Sequence, residues 1–353
     1  MPKRQKGSNM QNTKFIKEDL GMLCSLITAK AMDEEGRNVK AEITEVTHPG
    51  EAYVGLVIRD MDTPAGENQI SPVLHADNYY SVYMQEVDRG IGKEAAMEAA
   101  AERAIQDYDE LDSPTIRDET NYITKTISDW KELKDAVILR AVGKRKGKEY
   151  LKGKPHAVLG DICAIYGIEC GGREPGETGF VPITKKMAKE IGVSIKEMHE
   201  AAVNNTKERY PIKVAPVGAM LAGLAGTDPI PELDGSQEFP PLYVLTNNRM
   251  YDGAACIFYP EFKEEVARVL PEGGVILPSS RHELLAAPVD DNEGLKPMKE
   301  MVTEINSAMV EPWDQLSDRP FVFDARSKEF LPEFGEGAFK VKFHDGTQKE
   351  KTR

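Results

Sequence analysis

The stretch LYVLTNNRMYDGAACIFYPEFKEEVARVLPEGGVILPSSRHELLAAP (residues 242–288) decides the fold, because it alternates short apolar runs with turn-forming residues. Two of the runs, residues 242–246 and 254–259, are rich in the β-branched and aromatic residues that strands favour. They are separated by four residues that favour turns: Asn247, Asn248, Asp252 and Gly253. The pattern predicts an antiparallel hairpin.

A short amphipathic helix follows this hairpin. Pro260 suits a first helical position, and four apolar residues then fall on one face: Phe262, Val266, Val269 and Leu270. Pro271 and the Gly273-Gly274 pair end the helix. The apolar residues 275–277 and 284–287 then predict a second pair of strands.

The order strand–helix–strand predicts where a binding site would lie. A connection of this length normally closes as a right-handed parallel crossover, so residues 254–259 and 275–279 are expected to run parallel. Ligand crevices in such sheets form at the carboxyl ends of the strands. Seven residues would share that edge: Tyr259, Pro260, Ser279, Ser280, Arg281, His282 and Glu283. The Asn247-Asn248 turn is expected at the opposite end, as a separate polar cluster.

The residues at this edge are of the types that catalyse hydrolysis. Ser279 or Ser280 would be the nucleophile, His282 the base and Glu283 the group that orients it, while Arg281 could hold an anion. Neighbours in one tight turn mostly diverge, however, whereas catalytic groups must converge, so a hydrogen-bonded turn is the favoured interpretation. Two geometries discriminate the hypotheses: an approach of His282 to a hydroxyl or carboxylate of another segment inside a cleft would favour the enzyme, and a His282 that points into solvent would count against it. Asn247 and Asn248 are weaker binding candidates, since Asn commonly closes turns.

Composition limits the other classes of function. The chain has 353 residues, 40% of them hydrophobic, which is enough for one large or two ordinary domains. A net charge of -14 argues against broad binding to nucleic acids or anionic membranes. The basic turn with Lys144, Lys146 and Lys148 is a possible phosphate contact, but a solvated loop is favoured.

Several mechanism-bearing motifs are missing from the sequence. His199-Glu200 lacks the second histidine of a zinc protease, because the position one turn later is Val203. The four cysteines are scattered, and there is no phosphate loop, dinucleotide turn or nucleophile elbow. No window approaches about 18 apolar residues, the length of a membrane span. We therefore expect a cytoplasmic protein without metal or cofactor.

The chain pattern predicts an α+β protein with a small N-terminal helix/strand region and a larger mixed β-sheet domain with packed helices. The expected divisions are a disordered tail at 1–13, an N-terminal region at 14–110, a mixed-sheet domain at 121–332 and a flexible tail at 336–353. Strand pairs are expected around His48-Pro49-Gly50 and around residues 171–179. Ser194 with Glu197 predicts a capping box for a helix.

The assembled motifs resemble a bacterial family that carries only a domain-of-unknown-function label, number 5688. The resemblance is strongest over residues 137–323. Its marks include Asn204-Asn205-Thr206, Tyr243-Val244-Leu245-Thr246-Asn247, Gly253-Ala254-Ala255-Cys256, Leu277-Pro278-Ser279-Ser280, His282-Glu283 and Leu316-Ser317-Asp318. The resemblance implies a shared fold and no activity. The basic N-terminal extension and residues 171–179 depart from it.

Three functions remain open from the sequence. The leading hypothesis is a non-catalytic binding or regulatory module with a protein partner, because every mechanism-bearing motif is missing. The alternative is a hydrolase that uses Ser279 or Ser280 with His282 and Glu283. The third is a weak nucleic-acid adaptor that acts through the basic turn at residues 144–148.

Overall fold

The computed structural model describes residues 15–62, 71–111, 114–171, 178–226, 241–289, 292–332 and 337–345. The chain divides into two compact units, residues 1–125 and 126–353. The N-terminal tail predicted at residues 1–13 lies outside the described residues.

The N-terminal unit is a three-stranded antiparallel sheet packed against helices. Its elements are α1 (Lys17–Glu35), β1 (Val39–His48), β2 (Glu51–Asp60), β3 (Val73–His75), α2 (Ala76–Asp88) and α3 (Lys93–Leu111). The strand order is β1-β2-β3, so β1 is an edge strand. The hairpin predicted around His48-Pro49-Gly50 is confirmed, with Val39 opposite Asp60 and His48 opposite Glu51.

The core of this unit lies between the buried face of the sheet and the apolar faces of the helices. Leu23 and Ile27 of α1 pack with Leu56 and Ile58 of β2. The small residues of α3 allow close helix packing, and Ala100, Ala101 and Ala104 are fully buried. Gly36 ends α1 in the left-handed conformation at φ 63°, which glycine adopts without steric penalty.

The C-terminal unit contains two antiparallel sheets. A five-stranded sheet has the order β14-β5-β6-β4, and β7 pairs with β6. Its strands are β4 (Ile138–Gly143), β5 (His156–Leu159), β6 (Ile162–Gly171), β7 (Thr178–Pro182) and β14 (Lys342–His344). A six-stranded sheet has the order β13-β12-β10-β11-β9-β8. Its strands are β8 (Ile212–Pro216), β9 (Tyr243–Asn247), β10 (Gly274–Leu277), β11 (Leu284–Ala287), β12 (Phe321–Asp324) and β13 (Glu329–Pro332).

Helix α4 (Pro114–Thr126) spans the division of the units. The α-helices of the described part of the C-terminal unit are α5 (Trp130–Ala136), α6 (Lys148–Leu151), α7 (Lys185–Ile191), α8 (Ile195–Arg209), α9 (Val217–Ala225), α10 (Phe262–Val269) and α11 (Asn292–Met309). The predicted capping box is confirmed: the Ser194 side chain accepts the backbone N–H of Glu197, and Glu197 accepts that of Ser194. The α+β class is confirmed, and so is the β6–β7 hairpin.

The predicted parallel crossover is wrong. Residues 254–259 were expected to form a strand, but Gly253–Phe258 is a 3₁₀ helix in which all six residues are buried. A strand covered on one face would alternate buried and exposed residues, whereas Ala254, Ala255 and Cys256 are small and uniformly enclosed. Every described strand pair is antiparallel, so the sheet is not mixed, and β10 pairs with β11 and β12.

The predicted flexible tail at 336–353 is wrong for Lys342–His344. These residues form β14, which pairs with β5 and places His344 opposite His156. The two imidazole rings stack with centroids 5.3 Å apart. The charged composition of the segment predicted a solvated chain end, and it carried no signal for this long-range pairing. Residues 346–353 lie outside the described part of the chain.

The C-terminal unit contains a buried histidine on α8. His199 of α8 is 9% exposed and is surrounded by the rings of Tyr166, Phe258 and Phe343, whose centroids lie 5.3–5.9 Å from its own. The hydroxyl of Tyr166 lies 3.2 Å from Nδ1. Burial lowers the pKa of His199 to about 4, so the ring is neutral in the folded protein at neutral pH.

We expect His199 to make the C-terminal unit acid-sensitive. As the pH falls from about 6.5 to 4, the unfolded chain takes up a proton that the folded unit resists, so stability is full above this window and declines within it. Across this pH window the free energy of unfolding falls by about 3 kcal/mol. Urea unfolding of His199→Asn should show a shallower dependence on pH, with some slope left because burial also lowers the pKa of His156. An unchanged slope would contradict the assignment.

Candidate functional site

The loop between β10 and β11 is held by backbone hydrogen bonds to residues 314–317. The backbone N–H of Arg281 donates to the carbonyl of Asp314 at 2.7 Å, and that of Leu316 donates to the carbonyl of Ser279 at 3.0 Å. Ser280 forms an isolated bridge with Gln315. The loop that carries the predicted site is therefore paired along most of its length, and its side chains have fixed directions.

The turn after β9 brings a second polar segment to this loop. The Asn247 side chain accepts the backbone N–H of Arg249 at 2.9 Å and donates to the carbonyl of Tyr251 at 2.9 Å. Met250 and Asp252 both adopt φ 54°, which non-glycine residues rarely do. The backbone N–H of Gly253 then donates to the carbonyl of His282 at 3.0 Å. The expected separation of the two polar clusters is wrong, because this turn curls back onto the Arg281 loop.

Arg281 is the centre of the assembled group. Its Nη1 donates to Asp252 at 2.6 Å, its Nε donates to Asp314, and its Nη2 lies 3.2 Å from the Tyr251 hydroxyl. The side chains of Arg281, Asp252 and Asp314 are only 15–16% exposed. Burial alone would lower the pKa of Arg281, but the charges of Asp252 and Asp314 outweigh it and raise the pKa above its ordinary value.

The network continues to the neighbouring sheet. The second oxygen of Asp252 pairs with Nε of Arg140 in β4 at 2.8 Å. The Arg140 guanidinium lies 4.3 Å from the centre of the Phe180 ring, as in a cation–π contact. Its buried Nη2 has no hydrogen-bond partner in the part of the chain that the structure describes. Five residues are connected in this way, and we name them the charged cluster: Arg140, Asp252, Arg281, Asp314 and His282.

His282 joins the charged cluster through both of its ring nitrogens. The backbone N–H of Asp252 donates to Nδ1 at 3.2 Å, which leaves the hydrogen on Nε2. Nε2 lies 3.5 Å from Oδ2 of Asp314. Burial would raise the pKa of Asp314, but its contacts with His282 and Arg281 lower it. His282 therefore approaches a carboxylate of another segment, with neither nitrogen directed at a serine.

The remaining predicted site residues are engaged beside the charged cluster. Ser279 and Ser280 are each only 3% exposed. The Ser280 hydroxyl accepts the backbone N–H of His282 at 3.0 Å and hydrogen-bonds the Glu283 carboxylate. Burial raises the pKa of Glu283, and electrostatic interaction with His282 and the hydrogen bond from Ser280 partly offset this rise. Asn248 is exposed, and its backbone N–H donates to Pro211.

The basic turn at residues 144–148 is partly neutralised within its own unit. Nζ of Lys146 lies 3.2 Å from Asp318 and also donates to Gln315. Nε of Arg145 is 3.9 Å from Asp161. Two of the cations counted from the sequence therefore face carboxylates, which reduces the positive potential that a polyanion would meet.

Sequence reasoning missed four members of this site: Arg140, Tyr251, Asp252 and Asp314. Asp252 was assigned only to a turn, and Asp314 lies 33 residues beyond Arg281. A signal was present in the sequence, since Tyr251-Asp252 directly precedes Gly253 of the family marks. Neighbouring side chains in one tight turn were expected to diverge, but the side chains of Arg281 and His282 both contact Asp314.

No helix in the described ranges is both long and apolar enough to cross a membrane.

Comparison with known proteins shows which family includes the residues of the charged cluster. Neither the curated proteins nor the solved structures contain a match to the chain. The model of one family, described as a family of unknown function (DUF5688), matches residues 23–325, which include both the charged cluster and most of the N-terminal unit. With more than half of its length matched, the chain belongs to the DUF5688 family.

Proposed function

We propose that this protein is a non-catalytic binding module, and that its N-terminal unit binds an extended segment of a partner protein along β1. The observation that carries the proposal is the outer edge of β1, which pairs with no strand in the part of the chain that the structure describes. A backbone edge with regularly spaced donors and acceptors fits another extended chain, as in β-strand addition.

The register of the β1–β2 hairpin identifies the backbone groups on that edge. The N–H of Met61 donates to the carbonyl of Asn38, its direct partner in the extended register, so even-numbered residues of β1 bond to β2. Odd-numbered residues point their N–H and C=O groups to the other side. Consistent with this, the N–H of Ala41 is bonded by the Thr28 hydroxyl of α1 at 3.1 Å.

Three consecutive odd positions present the accessible part of this edge. Beyond Ala41, the outward backbone groups of Ile43, Glu45 and Thr47 have no backbone partner among the described residues. Ile43 is 37% exposed, and Glu45 is exposed on the same face. A partner strand that places an apolar residue beside Ile43 and a basic residue beside Glu45 would complement this edge.

Catalysis at the charged cluster has less support. The approach of His282 to Asp314 is a feature expected of the hydrolase hypothesis. Yet a general base needs a ring nitrogen within reach of the nucleophile, and both nitrogens of His282 already have partners. Ser279 and Ser280 are almost inaccessible to a substrate. The donors of Arg281 are likewise directed at protein groups and not at a vacant anion site.

Site-specific photo-crosslinking in the cells that produce the protein tests the proposal. A benzophenone amino acid in place of Ile43 is expected to give an adduct with a defined protein, while the same amino acid in place of exposed Glu98 of α3 gives none. Glu45→Pro removes an outward N–H without affecting the ladder to β2, so it should abolish the adduct. Glu45→Ala keeps that N–H and should retain most of it.

Three outcomes would contradict the proposal. An adduct that survives Glu45→Pro would place the partner elsewhere. An adduct that contains only a second copy of the chain would indicate self-association in place of a partner protein. No adduct from position 43 above the level at position 98 would remove the binding edge. Far-UV circular dichroism of Glu45→Pro checks that the variant retains its fold.

A further inference from the structure

An apolar pocket lies in the C-terminal unit, away from the charged cluster. Its volume is about 640 Å³, which is within the range of pockets that hold small molecules. Leu159, Ile257 and Phe258 contribute to its lining and are 4–8% exposed. The chain segment that leads into β14 completes it with Ala338, Phe339 and Val341.

The segment that closes this pocket is fixed to the sheet. The backbone N–H of Phe339 donates to the carbonyl of Phe330 in β13 at 2.8 Å. The Phe339 ring packs against Phe321 with centroids 5.0 Å apart. Because β14 is paired with β5 immediately afterwards, the segment is anchored at both positions. The pocket is therefore a formed feature of the unit.

Among the residues that the structure describes, the charged ones that line the pocket are two lysines and one glutamate. Lys263 and Glu329 form an ion pair and neutralise each other. Lys340 also lines the pocket and is exposed, and no carboxylate among the described residues pairs with it. The pocket thus combines an apolar lining with a positive charge that no carboxylate in the described ranges pairs with, in a chain whose net charge is -14. A neutral or cationic ligand would not use that charge.

We propose that this pocket binds a small molecule with an apolar body and a single carboxylate, and that Lys340 pairs with the carboxylate. Burial of the apolar body in the pocket would supply most of the affinity. The ion pair at the exposed rim would add a smaller contribution and would select anions over isosteric neutral molecules. This binding is independent of the edge strand β1.

Displacement of a dansyl-labelled fatty acid from the full-length protein tests the ligand class. Decanoate, decanol and decylamine share a chain length and differ in charge. We expect decanoate to displace the probe at about fivefold lower concentration than decanol, with decylamine the weakest, because one partly exposed ion pair has about that effect. Equal displacement by decanoate and decanol, or no binding of the probe, would overturn the proposal.

Substitutions of residues that line the pocket test whether the ligand binds there. Lys340→Met keeps the apolar stem and removes the charge, so it should bring the decanoate concentration close to that for decanol. Lys342→Met removes an equivalent exposed charge two residues away in β14 and should leave the preference unchanged. Ala338→Trp should fill the pocket and weaken all three competitors and the probe. Equal effects of the two lysine substitutions, or unchanged binding to Ala338→Trp, would contradict the assigned site.

Discussion

Replacement of Arg281 with methionine is expected to lower the free energy of unfolding of the C-terminal unit by about 3 kcal/mol. Methionine fills much of the space of the arginine stem, but it leaves Asp314 and Asp252 without their shared partner. Both carboxylates are largely buried, at 15% exposure, and among the described residues each keeps only one partner, Arg140 for Asp252 and His282 for Asp314. Loss of a buried ion pair is far more destabilising than loss of a surface pair.

Denaturant unfolding followed by tryptophan fluorescence measures this effect. Both tryptophans of the chain, Trp130 and Trp313, belong to the C-terminal unit, so the signal reports on that unit alone. Arg268→Met is the matched control, because Arg268 pairs with Glu265 on the exposed surface of α10. The control should change stability by less than about 0.5 kcal/mol.

Two further variants separate charge pairing from packing. Arg281→Lys should restore little, because a single ammonium cannot reach Asp252 and Asp314 with the geometry of the guanidinium. Asp314→Asn in the Arg281→Met background should recover part of the loss, because it removes one of the two buried carboxylates that have lost the guanidinium. If Arg281→Met were no more harmful than Arg268→Met, the charged cluster would not stabilise the fold.

The pH dependence of stability tests the contact between Arg281 and Asp314 independently. The pKa of Asp314 is lowered in the folded unit, so its contribution to stability is present above the ordinary carboxyl pKa and is lost as the pH falls through the lowered value. Without Arg281, only His282 would offset the effect of burial on this pKa, so the contribution should shrink. The acid limb of the stability curve in Arg281→Met should therefore be less steep than in the natural protein.

Local patterns predicted much of this fold correctly. The Ser194 capping box, helix α10 and the antiparallel pair β10–β11 all depend on residues within a few positions of one another. Periodicity, caps and turn residues encode such elements directly. For the same reason the sequence predicted the hairpin of the N-terminal unit, whose turn contains Pro49 and Gly50.

The errors arose where packing overrides local preference. The apolar run at residues 254–259 was compatible with a strand, but Asp252 precedes it in the left-handed conformation and the chain continues as a 3₁₀ helix over Gly253–Phe258. The parallel crossover failed with it. The charged cluster could not be predicted because its carboxylates come from other segments, and formal charge alone does not show that Asp314 faces Arg281.

Replacement of Gly253 with alanine is expected to destabilise the C-terminal unit by about 3 kcal/mol or more. A Cβ atom at this position would lie 2.0 Å from Oγ1 of Thr246, 2.6 Å from the carbonyl oxygen of His282 and 2.7 Å from the backbone nitrogen of Asn247. Two of these are backbone atoms of packed segments, which cannot move away as a flexible side chain would.

The hydrogen bonds around Gly253 explain why the neighbouring backbone cannot move without a loss of stability. The Thr246 hydroxyl donates to the carbonyl of His282 at 2.7 Å, and the N–H of Gly253 donates to the same oxygen at 3.0 Å. Moving that carbonyl would break both bonds and shift His282 away from Asp252 and Asp314. Gly223→Ala in α9 is the control, since nothing lies within 4 Å of its Cβ and alanine favours a helix by up to about 1 kcal/mol. If Gly253→Ala unfolded at the same denaturant concentration as the natural protein, the close approach of these segments would not be a constraint on the site.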